Sequence, residues 1–220
     1  VAEPRETQPQ LIGCSPGRDG ARRELLLGGV VGVLAVAVRV VVVALDGDVD
    51  WPFSTRRVGW ALTGMGTWYE AFPEERFLPA MESLVDLLEA WQDGDGRWRD
   101  QIGTHNRGAT PFMIAGVLQG LQLYHAATGE ARARRMALAG AAFLARHGRT
   151  REGIFYYKEA PVSDSPHPST AMLLGPLAWA YEETGDAAIL DAGYRLFRWL
   201  VDAGGASTYM LKDLFAFMPL

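Results

Sequence analysis

Trp68-Tyr69-Glu70-Ala71-Phe72-Pro73-Glu74-Glu75, Tyr124-His125-Ala126-Ala127-Thr128-Gly129-Glu130 and Tyr181-Glu182-Glu183-Thr184-Gly185-Asp186 are three versions of one element. Their tyrosines lie 55 and 57 residues apart. Each stretch closes one apolar helical pattern and, after a tight turn, opens another. A unit of roughly 56 residues built this way is a helix pair, and repeated helix pairs stack into curved layers of α-hairpins. The expected fold class is therefore all-α, with repeated hairpins over 57–220 and the chain stopping early in a fourth.

Within each unit the two helices differ in kind. Over 111–126, Phe112, Met113, Ile114, Val117, Leu118, Leu121 and Leu123 leave almost no polar face, so that helix must be surrounded by protein. Its partner over 131–147 sets Arg132, Arg134, Arg135 and Arg146 against Met136, Leu138, Phe143 and Leu144, one wet face and one dry. The pattern recurs over 169–181 with 187–201, and over 57–72 with 76–91, where Phe77, Leu78, Met81, Leu84, Val85 and Leu88 keep the helical period. Pro176 should kink or break its helix. Buried and amphipathic helices in alternation describe an inner ring covered by an outer one. Gly129 and Gly185 suit a left-handed helix end, and the acid after each suits the next helix start. The turns inside hairpins are short, whereas 92–110 and 148–168 are long. All long connections then fall on one rim, where a site would sit at the mouth of the inner ring.

This arrangement resembles the (α/α) toroid, or six-hairpin glycosidase-like, superfamily of glycoside hydrolases, polysaccharide lyases and uronate epimerases. The resemblance covers 57–220 and concerns architecture. It implies a partial toroid and a carbohydrate-active enzyme, a glycoside hydrolase or a uronate lyase or epimerase, binding a poly- or oligosaccharide. The alternative is a non-catalytic helical-repeat module that binds a glycan or a protein. Three hairpins are fewer than a closed toroid needs. Tyr209, Met210, Leu211, Leu214, Phe215, Phe217 and Met218 read as a fourth inner helix without its outer partner, as in a carboxy-truncated piece of a longer protein.

Composition narrows the classes. The 220 residues are 49% apolar and 21% charged, which is ordinary for a globular chain. A net charge of -5 argues against a nucleic-acid partner, whose phosphates demand a basic surface. One cysteine permits neither an internal disulfide nor a Cys-based zinc site. Residues 1–23 are a polar region. An apolar segment follows over 24–45, interrupted by Arg39. Arg22-Arg23, the apolar stretch 25–34 and Ala35-Val36-Ala37 have the layout of a twin-arginine export signal. A membrane anchor is the second reading, and a buried strand over 38–45 is compatible with export. The expected location is exported, periplasmic or extracellular, or anchored to a bacterial membrane. Any membrane contact would be made through this segment alone.

Candidate site residues come from the long connections. Gln92-x-x-x-Gly96-x-Trp98 resembles the repeat motif of terpene cyclases and their toroid relatives. There the Gln caps helix ends and the Trp packs over them. The catalytic acid motif of those cyclases has no convincing match, Asp48-Val49-Asp50-Trp51 being nearest. Gly153-Ile154-Phe155 repeats the Gly-x-aromatic ending, which favours packing for Trp98 and Phe155. Features that do not repeat are better candidates for chemistry: His105-Asn106-Arg107, and Asp164-Ser165-Pro166-His167-Pro168. A hydrolase needs two carboxylates flanking the scissile bond, and Asp100, Glu152, Glu159 and Asp164 are the acids at hand. Uronate chemistry instead uses His, Tyr, Asn or Arg to hold a carboxylate and move a proton. The expected catalytic groups are His105, His167, Asp100 and Tyr157. Trp98, Asn106, Arg107, Tyr156 and Asp164 are expected to touch substrate. Asp93, Asp95 and Asp164 also suit turns among Gly, Ser and Pro. No metal-ligand spacing or phosphate loop appears, so no metal or cofactor is expected.

Overall fold

Among the described residues, six α-helices form where the two kinds of apolar pattern place them: α1 (Thr55–Ala71), α2 (Leu78–Trp91), α3 (Pro111–Thr128), α4 (Ala131–His147), α5 (Leu174–Thr184) and α6 (Ala187–Asp202). The computed structural model describes residues 54–102, 106–159 and 163–202, with backbone only at 101–102, 106–107 and 163–164. The amino-terminal apolar segment, its strand over 38–45, the apolar tail over 208–220 and His105 lie outside the described residues. No helix among those described is long and apolar enough to cross a membrane.

The inner helices are α1, α3 and α5, and the outer ones are α2, α4 and α6. Helix α3 carries no exposed residue before Ala126 and packs on α1, α4 and α5. Its approach to α1 is close enough to demand glycine. A Cβ on Gly59 would stand 2.7 Å from Val117 N, and one on Gly120 would stand 2.9 Å from Leu62 Cβ. The core runs through Leu62, Met81, Leu88, Leu118, Leu144 and Leu177, all fully buried. Each such side chain contributes about 1.5–3 kcal/mol of transfer free energy.

The turns repeat in chemical detail. Gly129 and Gly185 adopt φ of 74° and 65°, and their N–H groups donate to His125 O and Tyr181 O at 2.7 Å. Thr128 and Thr184 donate their hydroxyls to Tyr124 O and Ala180 O, again at 2.7 Å. The acids after the glycines diverge. Asp186 caps α6 by accepting from Ala188 N–H at 2.9 Å, while Glu130 binds Arg132.

Two expectations change. The helix expected over 169–181 begins as a 3-10 turn (Pro168–Leu173), and α5 starts only at Leu174. Pro176 thereby falls in the first turn of α5, where a missing N–H forfeits no intrahelical bond. The long connections each fold a small antiparallel pair. Strands β1 (Asp100–Ile102) and β2 (Asn106–Gly108) pair in one, and β3 (Tyr156–Lys158) and β4 (Ser163–Pro166) in the other. Such three- and four-residue strands carry too little apolar alternation to read from sequence. Arginines of α4 and the residues just beyond it join neighbouring hairpins. Arg132 meets Asp86 and Glu89, Arg134 meets Glu183, Arg146 meets Asp186 and Arg149 meets Asp191. These pairs are exposed or only partly buried and contribute about 1 kcal/mol or less each, so burial holds the hairpins together.

Candidate functional site

Short turns lead from inner to outer helices, and long connections lead from outer helices back to inner ones. The long-loop rim is therefore where every inner helix starts, with its N–H groups unpaired by the helix itself. A loop side chain reaches each start. Asp100 accepts from Thr55 N–H at 2.8 Å and from the Thr55 hydroxyl at 2.9 Å. Glu159 accepts from Ala109 N–H, just upstream of α3, at 2.7 Å. His167 Nδ1 accepts from Ser169 N–H at 3.2 Å in the turn before α5. The N-cap hydroxyls themselves, Ser54 and Thr110, make no cap bond.

These roles remove two expected site residues from direct chemistry. Asp100 is buried, and that burial raises its carboxyl pKa above the ordinary 3.8, against the opposing pull of Thr55 and Thr110. Both its oxygens face Thr55, so it serves as a distant cap on α1 rather than as an exposed acid. Trp98, expected among the substrate contacts, is fully buried. Its indole N–H donates to Leu88 O at 2.8 Å, and its ring fills the space left by the missing side chain of Gly140. Gln92 beside it donates to Gly96 O and Met136 O, both at 3.0 Å. The packing reading of this motif describes what the two side chains do, and no ring face of Trp98 is left for a ligand.

The second long connection carries the exposed chemistry. Tyr157 stacks on Phe112 with ring centroids 5.4 Å apart and planes 8° from parallel. His167 lies 4.7 Å from the Tyr157 ring at a tilt of 43°. All three rings are half-buried. Because Nδ1 of His167 accepts a hydrogen bond, its neutral imidazole carries the proton on Nε2. Neither Nε2 nor the Tyr157 hydroxyl has a partner among the described residues. Sequence reasoning placed His167 and Tyr157 separately; the β3–β4 pairing brings them together.

Glu159, one acid among several in the sequence, joins the two connections. Its other oxygen meets Arg97 of the first long loop at 2.6 Å, and its backbone N–H donates to Ala109 O at 2.9 Å. A Cβ on Gly108 would stand 2.7 Å from its carboxylate. Arg97 also faces Asp93 and Asp95 and lies over the Phe143 ring. Asp100 follows Trp98 by two residues and Glu159 follows Phe155 by four, so no common spacing marked the pair in the sequence. Desolvation, with the nearby Glu159 charge, pushes the Tyr156 phenol up to about 12, so it stays neutral. Asn106 and Arg107 place their backbone in β2, and Asp164 places its own in β4, on the same rim. No group of three or more metal-ligating side chains occurs among the described residues.

No protein-family model and no curated protein matches the chain. Among solved structures it is similar to cellobiose 2-epimerase from Bacillus thermoamylovorans B4167, with a TM-score of 0.56 and 15% sequence identity. The likeness covers 66% of this chain and 40% of that one. The fold is that of the (α/α) toroid. The chain spans well under half of the epimerase it matches, so the similarity describes a sector of the ring.

Proposed function

We propose that the long-loop rim binds a carbohydrate and that His167 and Tyr157 move a proton at a sugar carbon beside a carbonyl or carboxyl group. This is epimerase or lyase chemistry rather than hydrolysis. The observation that carries it is the division of labour on the rim. Hydrolysis needs two carboxylates flanking one bond; Asp100 is buried on Thr55, Glu159 is engaged with Ala109 N–H and Arg97, and Glu152 lies out beside α6. The groups left without a partner among the described residues at the start of the inner helices are a half-buried imidazole and phenol in ring contact. A base takes the C–H proton and leaves an enolate, and an acid returns a proton to the same carbon. Return on the opposite face gives the epimer; loss of a leaving group at the next carbon gives the unsaturated lyase product. The cellobiose 2-epimerase likeness supports the first outcome. The twin-arginine sequence ahead of the hairpins supports export, which cell fractionation would test.

The deciding experiment incubates the full chain with cellobiose in D2O and follows the C2 proton by NMR. Loss of that signal with appearance of the epimer is expected, and His167→Asn or Tyr157→Phe should slow it about 100-fold or more. Binding without deuterium exchange at C2 would favour the non-catalytic glycan module and overturn the proton-transfer role.

A further inference from the structure

A hollow lies on the outer side of the ring, away from its mouth. It runs along the outer face of α6, under the turn at 152–154, with a volume of about 720 Å³. A second hollow of about 340 Å³ shares Glu152, Asp191 and Arg195 with it, so the two form one elongated groove. Its polar wall is already ordered. Asp191 takes Arg149 at 2.7 Å on one side and the Arg195 Nε at 2.9 Å on the other. The Arg195 stem rests against Gly153, where a Cβ would come within 3.0 Å of it. Both guanidiniums hold the Asp191 carboxyl below its ordinary range. The other wall is aromatic: Tyr194 is 53% exposed and Trp199 is half-buried along the same groove.

We infer that this outer groove is a second carbohydrate site, one that takes an uncharged oligosaccharide. Three features select that chemistry. Guanidiniums and carboxylates alternate along the wall, so a neutral chain rich in hydroxyls finds fixed donors and acceptors together. Most of the guanidiniums are held in ion pairs, Arg146 by Asp186, Arg149 and Arg195 by Asp191 and Arg198 by Asp202, so a polyanion would have to displace these carboxylates and would also meet Glu152. The exposed Tyr194 ring offers a flat apolar face of the kind on which a pyranose stacks. The elongated outline suits several linked sugars rather than one. Because the Arg149–Asp191–Arg195 array is fixed before binding, little ordering opposes association.

The test titrates the full chain with cellotetraose, and with tetragalacturonate as the charged comparator, by NMR of the tryptophan indole signals. Saturable shifts with cellotetraose and weaker ones with tetragalacturonate are expected. Tyr194→Ala should weaken cellotetraose binding about tenfold. Arg198→Ala, also on the surface, should weaken it less. His167→Asn should leave the Trp199 shifts unchanged, which separates this groove from the proposed active site. Tighter binding of the uronate, or shifts that survive both Tyr194→Ala and Arg198→Ala, would overturn the inference. So would a Tyr194→Ala variant whose only effect is to dissolve self-association seen by light scattering, since the groove would then seat protein.

Discussion

The two long connections begin alike and end differently. In the first, Gln92 bridges to Trp98 across the loop; in the second, 57 residues on, Arg149 bridges to Phe155. Each then sends a carboxylate, Asp100 or Glu159, to the start of an inner helix. The first connection spends its large side chains inward. Trp98 is buried, and Gln92 binds the α4 backbone at Met136. The second replaces that half-buried amide with Arg149, which reaches out to Asp191 on α6, and adds Tyr156, Tyr157 and His167 beyond the shared motif. What the repeat preserves is packing. What it changes is the surface on which a ligand can act.

The largest expected effect probes the preserved half. Trp98→Ala should destabilise the protein by about 3–5 kcal/mol in urea unfolding, because a buried ring and its bond to Leu88 O are lost together. Phe155→Ala should fall in the same range without the hydrogen-bond component. If Trp98→Ala costs under 1 kcal/mol, the packing role and the comparison both fail. Gly96→Ala should cost about 1–3 kcal/mol. Its φ of 90° suits glycine, and a Cβ would press to 2.3 Å from Ala139 O.

Asp100 sharpens the contrast between buried and exposed loop acids. Asp100→Ala should cost about 2–3 kcal/mol by stranding Thr55 N–H and its hydroxyl. The pH sign follows from burial. The folded-state pKa lies above 3.8, so the contribution of this group is full below that pH and declines as pH rises through the raised value. Asp100→Asn, which keeps an acceptor but no charge, should therefore cost less at pH 7 than at pH 3. An equal cost at both would place the carboxylate in a wetter site.

On the variable half, His167→Asn and Tyr157→Phe should change stability by less than about 1 kcal/mol while slowing the proposed proton transfer about 100-fold. The smallest effect belongs to Asp191→Asn. It should cost under about 1 kcal/mol at pH 7, since the carboxylate itself and Arg195 are open to solvent and Arg149 is only partly buried. The lowered folded-state pKa means this contribution is present above 3.8 and disappears as pH falls below it.

The sequence by itself determined the hairpins, the inner and outer layers and the glycine turns, because apolar periodicity and left-handed glycines are local signals. It also carried the helix-tying role of Gln92 and Trp98. The strand pairs in the long connections escaped it, since three residues are too few to show a period. Only tertiary structure decided which acids were available. Asp100 read as a candidate acid and Asp93 as a turn former, yet Asp100 is buried on Thr55 and Asp93 faces Arg97 and Arg99 at the surface. Likewise His167 and Tyr157 became a pair only when β3 and β4 folded back on α3 and set them beside Phe112. The physical reason is common to both cases. Burial and partnership depend on residues distant in the chain, and no local pattern encodes which side chains long-range packing will leave exposed.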